Sequence, residues 1–127
     1  MKKQIRTEKA PKPVGPYSQA IRVGDLLFVS GQVAIDPATG KLSQGGAGEQ
    51  AAVIMENLKA VLEAEGLEFN DVVKTTIFMT DMADFAEVNK IYGGFFRSDP
   101  PARSTVQVAA LPLGARLEIE MIASCRQ

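Results

Sequence analysis

The sequence predicts an α+β fold: a single domain over residues 1–127, built as a mixed β-sheet with two helices packed on one face. Three observations carry this. Apolar residues recur at helical spacing in two segments, 49–65 and 84–97. Segments near 20–32, 72–80, 104–110 and 116–123 are instead rich in β-branched and alternating apolar side chains. These two kinds of segment succeed one another in the order ββ(β)αβαββ, which suits a two-layer sheet-and-helix sandwich.

Taken in order, PKPVGPY (11–17) is a stiff lead-in, because its prolines fix φ while Gly15 permits a sharp bend. AIRVGDLLFVSGQVAI (20–35) contains a hairpin with Gly24-Asp25 at its turn, and DPATGK (36–41) is a second turn. LSQGGAGEQ (42–50) lacks the preceding strand and the Lys-Ser/Thr ending of a phosphate loop, so it reads as a connector. In the first helix Ala51, Ile54, Met55, Leu58, Val61 and Leu62 form one stripe, and Gly66 stands where a left-handed cap belongs. VVKTTIFMT (72–80) is a strand. The second helix repeats Phe85, Val88, Ile91, Tyr92 and Phe95, with Asp84 and Glu87 spaced as a capping box. Gly93-Gly94 inside it marks either close packing against another backbone or a frayed end. PPARSTVQVAALPLGARLEIEMIA (100–123) reads as two strands joined by a Pro-Leu-Gly turn, with Arg103, Glu118 and Glu120 on neighbouring strands.

Neither face of 72–80 or 104–110 is strongly polar, whereas a sheet with one wet face alternates cleanly. Two helices cannot cover both sides, so self-association is the economical expectation; a tolerated Thr/Ala face is the plain alternative.

Composition narrows the chemistry. Hydrophobic residues make up 46% and charged residues 23%, as in ordinary globular domains. A formal charge of −1 argues against nucleic acid as the main partner. No apolar run reaches membrane-spanning length, and MKKQIRTEKAPKP has no apolar stretch after its basic residues, so a membrane or secretory role is not expected. The single Cys125 fits a reducing, cytoplasmic setting. With no histidine, Ser-His and Cys-His pairs and imidazole-ligated metals are excluded, and no metal site is expected.

GPYSQA (15–20), VSGQ (29–32), the spacing of Val88, Asn89, Tyr92, Phe95 and Phe96, and PARS followed by LEIEMIA together resemble the Rid family, the YjgF-type enamine/imine deaminases. The resemblance covers essentially the whole chain. It implies a chorismate-mutase-like fold, a homotrimer with clefts between subunits, and cofactor-free hydrolysis of 2-imino acids such as 2-iminobutanoate and 2-iminopropanoate to 2-keto acids and ammonia.

Matched residue by residue, the resemblance makes Arg103 the carboxylate anchor, for which a guanidinium fork is well suited. Position alone allows an ordinary ion pair with a glutamate. Glu118 matches the water-activating position, and burial is the means by which a carboxyl group is tuned for that task. Tyr17 is placed near the imino nitrogen or the water, or else it caps the core edge. Ser30 and Gly31 are expected at the carboxylate, Gly31 equally as a bulge. Thr105 is a further carboxylate contact, standing where many relatives have cysteine. Glu120 is read as structural or as an interface ion-pair partner, and Asn89 as fixing a subunit contact. Two other functions stay open: a non-catalytic binder of small carboxylates, and an endoribonuclease, which the charge and scarce aromatics disfavour.

Overall fold

The computed structural model describes residues 1–125. Six strands form one sheet: β1 (Lys3–Ile5), β2 (Ala20–Val23), β3 (Leu26–Gln32), β4 (Val72–Met79), β5 (Ala102–Gln107) and β6 (Leu117–Ser124). Two helices, α1 (Ala47–Ala64) and α2 (Phe85–Gly93), follow β3 and β4. The strand order across the sheet is β1-β2-β3-β6-β4-β5. All pairings are antiparallel except β4 with β5.

This order corrects one reading of the sequence. The Pro-Leu-Gly segment is not a hairpin turn between adjacent strands, because β4 lies between β5 and β6. The segment is a 3-10 turn, Pro112–Gly114, with Leu113 and Gly114 both at positive φ.

The helical stripe of α1 is the core. Ala51, Ile54, Met55, Leu58, Val61 and Leu62 are all fully buried, against Leu27, Ile77, Met79, Leu117, Ile119 and Met121 of the sheet. The helix ends in a Schellman cap: Gly66 has φ +72°, Leu67 N–H donates to Leu62 O, and Gly66 N–H donates to Glu63 O.

α2 is shorter than its pattern predicts and stops at Gly93, with Gly94 as its cap, so the glycine pair marks the end. The expected Asp84–Glu87 capping box does not form. Asp84 makes no side-chain cap, and Glu87 instead accepts from Gly48 N at 3.1 Å, supplying the N-terminus of α1 with an acceptor that Gly46 cannot provide.

Both helices lie on one side. On the other, Leu26, Phe28 and Val106 are each more than 40% exposed. That face carries an exposed apolar patch in the single chain, as the weak alternation of its strands suggests.

Candidate functional site

Strand register decides where the candidate residues point. Arg103 pairs with Thr75 and Thr105 with Ile77, both of which are buried, so Arg103 and Thr105 lie on the helix side. Glu118 pairs with Phe78 and Glu120 with Thr76, on the helix-free side. Arg103 and Glu118 are therefore two strands apart, about three residues out of level, and on opposite faces, with Cα atoms about 14 Å apart by strand geometry. A single chain does not bring them together.

On the helix side, α2 builds a cradle for the guanidinium. Arg103 Nη1 donates to Asn89 Oδ1 at 2.8 Å. Its central carbon lies 5.1 Å from the Tyr92 ring centroid and 5.6 Å from that of Phe85. Phe85, Asn89 and Tyr92 share one face of α2 at i, i+4 and i+7, which is why they converge. Tyr92 is fixed in turn by a 2.7 Å hydrogen bond between its hydroxyl and that of Thr75, and burial raises its pKa. Among the described residues Arg103 has no carboxylate partner. The ion-pair reading of Arg103 is thus not realised within the chain. Asn89, expected at a subunit contact, holds Arg103.

Thr105 lies on the helix side with Arg103, on the same strand. Its Oγ1 is enclosed and is the one buried side-chain polar atom without a hydrogen-bond partner among the described residues.

A second cluster lies on the helix-free side where β3 meets β6. Val29 pairs with Met121 and Gln32 with Ile119, so three steps on β3 oppose two on β6. Ser30 and Gly31 form this bulge. The bulge presses Gly31 onto Glu118: a β-carbon at Gly31 would stand 2.8 Å from Glu118 Cδ and 3.1 Å from Cγ. Gly31 has no positive φ, so its need is room for that carboxyl group and not backbone freedom. Glu118 has no hydrogen-bond or ion-pair partner among the described residues. Burial, and then the neighbouring charge of Glu120, raise its pKa. A carboxyl group so placed can take and return a proton nearer neutrality.

Ser30 serves the loop. Its hydroxyl donates to Ser18 O at 2.6 Å and its N–H to Gln19 O at 2.9 Å. Tyr17, half exposed, lies on that loop one residue before Ser18. Gln19, in the same loop, is 3% exposed. Its side chain bonds Thr7 N and the carbonyls of Thr7, Ala10 and Pro11, tying the lead-in to the Tyr17 loop. A glutamine among apolar and proline residues was the available signal.

The family model described as "Endoribonuclease L-PSP" matches residues 7–125. The mouse protein named 2-iminobutanoate/2-iminopropanoate deaminase is 50% identical over 123 residues, covering 97% of this chain and 91% of that protein. A solved Thermotoga maritima structure, described as that of a candidate endoribonuclease, is 51% identical with TM-score 0.96, over all of both chains. E. coli TdcF, solved with bound serine, is 43% identical with TM-score 0.93, covering 98% of this chain and 99% of that one.

Proposed function

The chain belongs to the YjgF/RutC/Rid family, and we propose that it hydrolyses reactive 2-imino and enamine acids, 2-iminobutanoate and 2-iminopropanoate among them, to 2-keto acids and ammonia. The observation that carries this is Glu118, a half-buried carboxyl group of raised pKa with no partner, packed on a glycine that makes room for it. The deaminase name of mammalian relatives supports this reaction class.

The working unit is a cytoplasmic homotrimer with three clefts. Arg103 sits on a sheet edge facing the helices, and Glu118 sits under the open apolar face. Packing the apolar face of one copy against the next buries Leu26, Phe28 and Val106 and lets the β5 edge of one chain meet the bulge of its neighbour. Each cleft then has a guanidinium from one subunit and a carboxyl group from another.

In such a cleft Arg103 binds the substrate carboxylate through two parallel hydrogen bonds, together worth several kcal/mol at about 1.5–3 each. Glu118 takes a proton from water as the water oxygen bonds to C2. The C=N π electrons move to nitrogen, which receives that proton from Glu118 to give a neutral carbinolamine. Glu118 then takes the carbinolamine hydroxyl proton as the C=O forms and the C–N bond breaks, and passes it to the departing nitrogen, which leaves as ammonia. Tyr17 steadies the nitrogen or the water by a hydrogen bond. Ser30 and Gly31 shape the wall behind Glu118.

The test generates 2-aminoacrylate in situ from an amino acid and follows keto-acid formation. Arg103→Ala abolishes the acceleration, and Glu118→Gln lowers it about 10²- to 10⁴-fold. Keto-acid binding without acceleration points to a carboxylate-binding protein. The family model's description keeps a ribonuclease reading in view, and RNA cleavage surviving Arg103→Ala would favour it.

A further inference from the structure

Thr75 is an unexpected residue for its place. The core-facing positions of β4 are Val72, Thr75, Ile77 and Met79, all buried, and the threonine is 0% exposed. A buried hydroxyl needs a partner, because an unpaired one carries a desolvation cost that a valine of similar shape does not. Its partner is Tyr92: the two hydroxyl oxygens are 2.7 Å apart. Thr75 is also the residue that pairs with Arg103 across the parallel β4–β5 ladder. It thus meets the Arg103 cradle from two directions, as strand neighbour and through the Tyr92 side chain.

The contacts of Tyr92 differ in kind. Phe96 packs on its ring with centroids 4.9 Å apart, and the Arg103 guanidinium carbon lies 5.1 Å from the ring centroid. Both are contacts of the π system and tolerate a tilt of the ring. The hydrogen bond is the directional contact. The phenol oxygen is the side-chain atom farthest from the backbone, so holding it fixes the ring axis. Tyr92 is 4% exposed, so bulk water does not stand in for Thr75.

This cradle orients Arg103 without neutralising it. An amide oxygen on Nη1 and two aromatic rings meet the guanidinium, and among the described residues no carboxylate does. Burial raises the Tyr92 pKa, so the phenol stays uncharged. With Nη1 turned to Asn89, the edge formed by Nε and Nη2 is a two-donor face left for a carboxylate. That edge turns with the guanidinium plane, which lies over the Tyr92 ring. Bidentate binding needs both donors aligned at once, so a tilted ring weakens it although the charge is unchanged.

We propose that Thr75 is a positioning residue for the carboxylate anchor: its hydroxyl pins Tyr92, and Tyr92 sets the plane in which Arg103 offers its free edge to the acid group of an imino or keto acid. The inference rests on Arg103 being that anchor, as proposed above. It gives a core residue that touches no substrate a share in substrate affinity and none in proton transfer. Glu118 stands on the opposite face of the sheet, so removing the Thr75 hydroxyl leaves the general base in place.

Thr75→Val and Thr75→Ser are compared with the parent as full-length chains, with 2-iminobutanoate supplied in situ by an amino-acid oxidase. Thr75→Val should raise KM about fivefold or more with kcat within about twofold, the pattern of lost uniform binding. Thr75→Ser keeps the hydroxyl and should restore KM. The Arg103 Nε–Hε NMR signal, assigned by its loss in Arg103→Lys, should move in Thr75→Val and stay in place in Thr75→Ser, because its shift depends on the rings beneath it. Where Thr75→Val does not fold, Tyr92→Phe removes the same hydrogen bond from its other end and should give the same rise in KM and the same displacement. A lower melting temperature with unchanged KM, or a fall in kcat alone, would overturn the proposal. A parent that binds 2-oxobutanoate without hydrolysing imines would remove the reaction proposed above but not this inference; the affinity for 2-oxobutanoate then decides, about fivefold weaker in Thr75→Val supporting it and equal binding overturning it. A parent that does not bind 2-oxobutanoate overturns both.

Discussion

At the scale of single residues, two substitutions separate room from charge. Gly31→Ala puts a methyl group against the Glu118 side chain. Because the clash is with a flexible carboxyl end and φ is ordinary, the fold should survive with a stability change of about 1 kcal/mol or less. Imine hydrolysis should fall at least tenfold as Glu118 is pushed aside. Native-like melting with lost keto-acid production is the expected result; unchanged turnover would show that Gly31 is a bulge residue only. Charge is tested at Glu120, whose carboxylate helps to raise the Glu118 pKa. Glu120→Gln should move the rising limb of the pH–rate profile to lower pH, since Glu118 must be ionised to accept a proton.

The same raised pKa has a stability consequence of opposite sign to most carboxylates. Native Glu118 holds its proton to higher pH than the unfolded chain does, so the native state loses stability as pH rises above about 4.3. Glu118→Gln removes that loss. Its melting temperature should exceed that of the parent at pH 7 and match it near pH 3. A lower melting temperature at pH 7 would contradict the burial argument.

At the scale of elements, Glu65 ties the end of α1 to the β1–β2 edge. Its side chain is 6% exposed and meets Arg22 Nη1 at 2.9 Å and Lys3 Nζ at 3.4 Å. The hydrogen bond from Arg22 lowers its pKa, and Lys3 adds to this. A lowered carboxylate pKa stabilises the fold above the unfolded value of about 4.3, and that stability is lost as pH falls through the native value. Glu65→Gln should therefore lower the melting temperature at pH 7, the difference shrinking below about pH 4. Legibility in the sequence also divides by element. The α1 stripe and its glycine cap were readable in full, because both depend on neighbours within one turn. β1 was not, since KQI is three residues without a period. Glu87 has the spacing of a local cap, but its partner, Gly48, lies 39 residues away and leaves no local signal.

At the scale of the whole molecule, the candidate site was legible as residues but not as a place. Arg103 and Glu118 were readable from the motifs around them. Which face each takes depends on pairing with β4, more than twenty residues upstream of either, and the Pro-Leu-Gly turn gives no hint of the intervening strand. Their opposed faces yield a sharp prediction for the proposed trimer. Arg103→Ala and Glu118→Gln chains, each inactive alone, should regain part of the parent activity when unfolded together and refolded as mixed trimers, because some clefts then pair an intact guanidinium with an intact carboxyl group. Absence of recovery, or a monomeric mass by light scattering, would remove the shared cleft.

The position of β6 bears on how the chain comes off the ribosome. It follows the other five strands in the chain, yet it lies between β3 and β4 and, among the described residues, is the only strand joining β1-β2-β3 to β4-β5. Until residue 124 has emerged, a nascent chain holds two half-sheets with facing unpaired edges, which invite mispairing between copies. Closing the sheet thus waits on β6, and until it pairs, the two half-sheets are exposed to association with other copies.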